Sequence, residues 1–324
     1  MTVSVVIPLY NDAATIGPVL DGLAAQVAAP PFEVIVVDDG STDNGPALVA
    51  GRATLVQQSN AGPAAARNNG ARHARGDFVL FLDSDCTPPP NWVARMVQAL
   101  DSGFEGVVGT LTAANDGVVQ RLVQLEVEDR YRGMSAAVNG VDFIAAPSCG
   151  FKRDIFLGMG GFNESLRQAE DVELAYRFDA AGHRIAFVAD APVAHAHQTT
   201  WGEFISTKYR RAVGRLKVFA LYPQKRRQDA WTPIALKLQF AAVALAVPAI
   251  AAGIFRWPFV LLGLGLLVVA ILLGWPLVMA TARRQASLIG LWRGFGVGAA
   301  FIIIRSLIIL LAVMRMKLWR AGSS

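Results

Sequence analysis

Residues 78–85 read Phe-Val-Leu-Phe-Leu-Asp-Ser-Asp, five apolar side chains in a row that end in two carboxylates one residue apart. An unbroken apolar run of this kind suits a strand covered on both faces, as in the middle of a parallel α/β sheet, where the alternation of a half-exposed strand is lost. Ligands bind at the carboxyl ends of such strands. Side chains alternate with a period of two, so Asp83 and Asp85 share one side while Ser84 points away, and one or both carboxylates suit a hard divalent cation, Mg²⁺ or Mn²⁺. The competing reading is a polar turn, because Asp and Ser favour turns and Pro88, Pro89 and Pro90 follow directly. The neighbouring segments decide between the two.

Upstream, Val3 to Pro8 reads as a strand, and Ile16, Val19, Leu20, Leu23 and Val27 have helical spacing. Phe32 to Asp38 is a second buried strand running into the turn Asp39-Gly40-Ser41-Thr42-Asp43, Thr54 to Gln58 a third, and Gly62 to Ala74 a helix. Strands and helices joined by short loops predict an α/β fold with a mostly parallel sheet and right-handed crossovers. Downstream, Asn91 to Leu100 is a helix, Gly106 to Leu111 a strand, and Ile185 to Val188 a short strand that leads to His195 and His197. Val118 to Arg132 is amphipathic, and its Glu126, Glu128 and Asp129 read as a solvated face. The first strand is followed by Leu9-Tyr10-Asn11-Asp12, which is neither a G-x-G-x-x-G dinucleotide fingerprint nor a Walker loop.

The charges divide the chain. Residues 1–199 hold 13 Lys/Arg against 23 Asp/Glu, a net of −10, whereas residues 200–324 hold 17 against 2, a net of +15. After Asp229 no acidic residue occurs, and three long apolar runs appear: 238–255, 257–280 and 294–314. The second has 24 uncharged residues, about 36 Å as a helix and enough to cross a bilayer core of about 30 Å. The expected organisation is a catalytic domain over 1–199, a basic amphipathic juxtamembrane segment over 200–230, and a membrane domain over 231–324 with two to three transmembrane helices. Lys208, Arg210, Arg211, Arg215, Lys217, Lys225, Arg226 and Arg227 interleave with apolar residues. Beside a spanning segment such a helix is read as lying on anionic lipid headgroups; nucleic acid is the rejected alternative. Positive charge there keeps the N-terminal domain on the cytosolic side of an inner membrane in a multi-pass protein. A third crossing would leave Arg315, Lys317 and Arg320 outside, against the same rule, and would place Arg305 mid-span. No signal peptide is read at the N-terminus, and Cys86 and Cys149 are too few for a disulfide framework.

Four motifs in order carry a resemblance. Val-Ile-Pro-Leu-Tyr-Asn at 6–11, Val-Asp-Asp-Gly-Ser-Thr-Asp at 37–43, Asn60-Ala61-Gly62 with Ala66-Arg67-Asn68, and Asp83-Ser84-Asp85 resemble the successive motifs of family 2 glycosyltransferases with the GT-A fold. Gly160-Gly161-Phe162-Asn163-Glu164 and Glu170-Asp171-Val172-Glu173 are similar to the acceptor-side half of that family, so the resemblance covers residues 3–197.

The resemblance implies roles that also make physical sense. Pro8 and Tyr10 would line the donor pocket, with Tyr10 stacking on a uracil base. Asp39 would accept from the base N–H, with Gly40 allowing the close turn. Arg67 would reach the nucleotide or its phosphates. Asp85 would hold the metal that bridges the diphosphate, with Asp83 supporting the metal or the ribose, and His195 would complete the metal shell or hold a structural place. Of the acidic pair, Glu170 can be explained by the helix macrodipole alone, whereas Asp171 occupies the family's position for the catalytic base.

The expected activity is therefore inverting transfer of a sugar from a nucleotide sugar, UDP-linked by preference, to a membrane-associated acceptor such as a polyprenyl-linked glycan or another lipid. The Gln-x-x-Arg-Trp motif of the processive synthases does not occur in 198–230, which favours transfer of a single sugar. Two rivals are a nucleotidyltransferase and a non-catalytic membrane component that keeps the fold. The first needs a glycine-rich basic loop after strand one, which is not there; the second ordinarily loses its carboxylates, and Asp39, Asp83, Asp85 and Asp171 are all present.

Overall fold

The computed structural model describes residues 2–135, 137, 139–226, 229–283 and 288–321. Arg227 and Arg284 of the basic flanks lie outside the described residues, as do the side chains of Lys317 and Arg320. The first elements are β1 (Val3–Leu9), α1 (Ala13–Ala24), β2 (Phe32–Asp38), α2 (Gly45–Val49), β3 (Thr54–Gln57), α3 (Pro63–His73), β4 (Phe78–Leu82), β5 (Cys86–Thr87) and α4 (Trp92–Asp101). They are followed by β6 (Gly106–Ala113), α5 (Val118–Met134), β7 (Ser148–Lys152), α6 (Arg153–Gly158), α7 (Glu170–Ala180) and β8 (Ile185–His195). The chain ends in α8 (Trp201–Leu221), α9 (Ile234–Ala252), α10 (Pro258–Leu273), α11 (Trp275–Arg283) and α12 (Leu288–Ala321). It divides into two compact units, Met1–Asn115 with Tyr131–His197, and Asp116–Arg130 with Gln198–Ser324. Residues 116–130, placed by the sequence within the catalytic domain, thus group with the second unit.

The first unit is built on one sheet of order β3-β2-β1-β4-β7-β6-β8-β5. Among the described residues four pairings are parallel (β1 with β2, β1 with β4, β2 with β3, β6 with β8) and three antiparallel (β4 with β7, β6 with β7, β5 with β8). All residues of β1 and β4 are buried, as their continuous apolar runs require. One face of the sheet is covered by Ile16, Val19, Leu20 and Leu23 of α1 and by Trp92, Val93, Met96, Val97 and Leu100 of α4. Phe81 points to the other face, between Leu80 and Leu82 that point to the first, and packs with Phe156 and Phe162 at ring separations of 5.1 and 5.3 Å. Truncating Phe81 to Ala would cost about 3–5 kcal/mol. Strand β8 continues to His195 past an irregularity opposite Gly109/Leu111, longer than the four residues read from the sequence.

The second unit contradicts one expectation. Glu126 is not solvated: with Val119, Leu122 and Val123 it lies on the inward stripe of α5, whose apolar members pack on Phe204 of α8, Leu277 and Val278 of α11, and Phe301 and Ile302 of α12. Its carboxylate takes Lys208 Nζ at 2.6 Å, an Arg130 Nη at 2.5 Å and an Arg305 Nη at 3.3 Å. Arg305 also donates to the side-chain oxygen of Gln239. Asp129, by contrast, is exposed. Helix α8 begins with a capping box in which Thr200 and Glu203 exchange hydrogen bonds, and it carries the basic residues expected of it.

By length and composition α9 and residues 292–316 of α12 are each able to cross a membrane. The long second run is not one helix, since α10 and α11 meet at a 68° bend. Gly274 ends α10 and Pro276 follows in the first turn of α11, where a proline is tolerated but cannot continue the preceding helix.

Candidate active site

The carboxyl ends of β1, β2 and β4 deliver the side chains singled out in the sequence. Pro8 is buried in β1, paired with Val37 of β2. Tyr10, two residues on, is 49% exposed. The loops after β1 and β2 are tied together: Asn11, at φ 55°, accepts through its side-chain oxygen from Thr42 N, and Asp43 accepts from Ala13 N, both at 2.8 Å. Gly40 has φ +77°, and a Cβ there would stand 3.1 Å from Asn60 N, so the turn needs glycine on both counts.

Asp39 is buried, and its carboxylate accepts from Gln58 Nε2, Ala61 N and Gly62 N, each at 2.8 Å. A carboxylate offers about four acceptor sites. Three are spent on the loop that opens α3, so Asp39 fixes that loop and keeps one acceptor site.

Arg67 is 4% exposed; Nη2 lies 2.5 Å from Asp83 Oδ1 and Nη1 lies 3.1 Å from Glu170 Oε1. Its guanidinium charge is strengthened: burial works against it, but Asp83 and Glu170 push its pKa further up. One oxygen of Asp83, Oδ1, is thus engaged by arginine. Glu170 carries a raised pKa, from burial first and then from Asp171, with Arg67 opposing. Ala169, at φ 67°, turns the chain into α7 so that Glu170 and Asp171 open it. Asp171 is half-buried, and its Oδ1 accepts from Val172 N at 2.8 Å.

Asp85 is partnered from across the sheet. The short strand β5 pairs antiparallel with β8 in a register that sets Cys86 opposite His195. This brings Asp85 Oδ2 to 3.6 Å from His195 Nε2. Asp85, Cys86 and His195 present ligand atoms within 4.8 Å of one another. Burial, then Asp83 and Asp85, push the Cys86 thiol well up, so it stays protonated, and its Sγ lies 3.4 Å from Asp85 Oδ1. A protonated thiol is a poor ligand. Two ligands of one ion at about 2.1 Å lie about 3 Å apart when adjacent, so the Asp85 and His195 pair fits a divalent cation with small adjustment. The surroundings fit as well: Asp12 has its pKa raised by burial, against its Ser84 hydrogen bond, and by Asp85, Asp83 and Asp43. Concentrated negative charge of this kind is what a cation relieves.

Sequence reasoning missed Asp12, Cys86 and the role of Asn68. Asn68 accepts from Phe162 N and donates to Phe162 O, both at 2.8 Å, and also donates to Glu164. It clamps the Gly160-Gly161 turn, where a Cβ on Gly161 would come within 2.4 Å of Asn68 Oδ1. The signal was in the sequence as an asparagine beside Arg67, but its partner lies 94 residues away.

The family model for glycosyl transferase family 2 matches residues 4–158. Those residues form a glycosyltransferase family 2 domain. This glycosyltransferase is 27% identical over 232 residues to glycosyltransferase AglE of Haloferax volcanii, covering 68% of the chain and 74% of the relative. It is 32% identical over 121 residues to the undecaprenyl-phosphate 4-deoxy-4-formamido-L-arabinose transferase of Yersinia enterocolitica, where 34% of the chain spans 37% of the relative. In fold it is similar to a mannosyltransferase from Pyrobaculum calidifontis solved with GDP-Man and Mn²⁺, at a TM-score of 0.61 and 21% identity over 98% of this chain and 87% of the other. The glycosyltransferase thus has the GT-A architecture with apolar helices after it.

Proposed function

We propose that this glycosyltransferase moves one sugar, with inversion, from a nucleoside-diphosphate sugar to an acceptor in the membrane, with its catalytic unit on the cytosolic face. The observation that carries this reading is the division of the carboxylates: Arg67 engages Asp83 and Glu170, while Asp85 faces His195 and Asp171 stands half-buried at the start of α7. One pair builds the floor and the other two do the chemistry.

Asp171 takes the proton from the acceptor hydroxyl or phosphate as its oxygen attacks the anomeric carbon. The bond from that carbon to the diphosphate oxygen breaks on the opposite face, and the nucleoside diphosphate leaves with the electron pair. Asp85 and His195 would hold a divalent metal, which would supply charge neutralisation on the leaving diphosphate. Tyr10 stacks on the base, and stacking accepts any base. The uridine preference rests on the family resemblance, with Asp39 as the acceptor for the base N–H. Helices α9 and α10 form the hairpin that anchors the enzyme, and α8 lies along the headgroups. A lipid-phosphate acceptor suits this placement, and a relative of the same family takes its name from undecaprenyl phosphate.

The test uses the full chain in lipid, Mn²⁺, and UDP-, GDP- and dTDP-linked sugars, with radiolabelled transfer to polyprenyl phosphate followed by extraction. Label entering the lipid fraction from one donor is the expected result. Label only in water-soluble products or free sugar, with all donors, overturns the lipid acceptor.

A further inference from the structure

We infer that His197 is a positioning residue that fixes the tautomer of His195 and thereby makes its Nε2 available as a ligand. This rests on the reading of Asp85 and His195 as the metal pair. His195 is the last residue of β8 and His197 follows at a spacing of two, so both rings fall on one side of an extended chain. Both are buried. The rings stand 5.0 Å apart at 63°, with the two Nδ1 atoms 3.0 Å from each other.

Two imidazole nitrogens at that distance form a hydrogen bond in which one must donate and the other accept. A neutral imidazole has one proton for two nitrogens. If His195 donates through Nδ1, its Nε2 carries a lone pair, and that lone pair faces Asp85 Oδ2 at 3.6 Å. If His197 donates instead, the His195 proton sits on Nε2 and blocks the ligand position. A His197 that accepts through Nδ1 therefore selects the competent form of His195. It also aims the ring. The partner of a ligating histidine is usually a carboxylate or carbonyl, and its loss typically costs 10–100-fold in metal affinity. Here a second imidazole fills that place.

The experiment titrates the detergent-purified full chain with Mn²⁺ and reads free Mn²⁺ by electron paramagnetic resonance, with and without UDP. Thermal unfolding in EDTA checks that each variant is folded. His195→Ala is expected to abolish binding at this site. His197→Leu is expected to weaken binding roughly 10–100-fold, while His197→Asn, whose Oδ1 accepts near the position of Nδ1, stays within a few-fold of wild type. Should His197→Leu fail to fold, His197→Ser, polar but too short to reach, takes its place. Wild-type affinity in His197→Leu or Ser with His195→Ala dead overturns the inference and leaves the metal reading intact. Equal losses in the Leu and Asn variants overturn it too. Wild-type affinity in His195→Ala removes the metal reading itself.

Discussion

Arg67 Nη2 lies 2.5 Å from Asp83 Oδ1, so the first carboxylate of the Asp-x-Asp pair is satisfied from within the protein. The same guanidinium reaches Glu170, 103 residues further along. Removing one partner of a buried ion pair leaves uncompensated charge and costs about 3–5 kcal/mol. Arg67→Gln is expected to lower the thermal unfolding midpoint sharply, and Arg67→Lys to rescue it only in part because it cannot bridge two carboxylates. An unchanged midpoint in Arg67→Gln would show that the pair carries no stability.

Asp85→Asn should keep the fold and lose turnover by about three orders of magnitude, roughly 4 kcal/mol of barrier. Chelation of the wild type should do the same, with Mg²⁺ or Mn²⁺ restoring activity. Transfer that persists in excess EDTA contradicts the metal role.

Asp171→Asn preserves side-chain size and should hold donor affinity while turnover collapses, the signature of a lost transition-state interaction. Glu170→Gln should mainly reduce stability, since that carboxylate is buried on Arg67. If the Asp171 variant transfers sugar normally and the Glu170 variant is dead, the base is Glu170.

Glu126 is held well below the ordinary glutamate range: burial alone would raise it, but Lys208, Arg130 and Arg305 together reverse the effect. A depressed carboxyl adds stability that is complete above its unfolded value, near 4.5, and is lost as pH falls below it. Glu126→Gln should therefore destabilise the protein at pH 7, by about 3–5 kcal/mol, and flatten the acid limb of its unfolding profile below pH 4.5. Identical acid limbs for variant and wild type would exclude Glu126 as the source.

A reporter fused after Ser324 is expected to read cytosolic. Arg283, Arg284 and Arg293 precede the last apolar run and Arg315, Lys317 and Arg320 end it, and the positive-inside rule puts both flanks on one side. An extracytosolic signal would mean that α12 crosses.

The nucleotide half of the fold was legible because its strands are continuous apolar runs, and the acidic ends of β2, β4 and α7 stood out against them. What was not legible lay in pairings between distant segments. Nothing near Arg67 announces that Glu170 will occupy it, and nothing near Asp39 announces Ala61 and Gly62. Strand β7, Ser-Cys-Gly-Phe-Lys, has no run or alternation to read. Glu126 was different. Its spacing of seven, four and three from Val119, Leu122 and Val123 places it on the apolar stripe, and weighting its charge over its helical phase produced the wrong face.

The ion pair between Glu126 and Arg305 joins residues 179 apart, and translation makes the acid first. When the final helix leaves the ribosome, the carboxylate that neutralises its arginine has already been synthesised. A fragment beginning after α5 would leave that guanidinium without its carboxylate, and losing one partner of a buried pair costs about 3–5 kcal/mol. The order of segments along the gene is thus also an order of assembly, and circular permutation that moves α5 behind α12 should slow folding even where every contact of the finished protein is preserved.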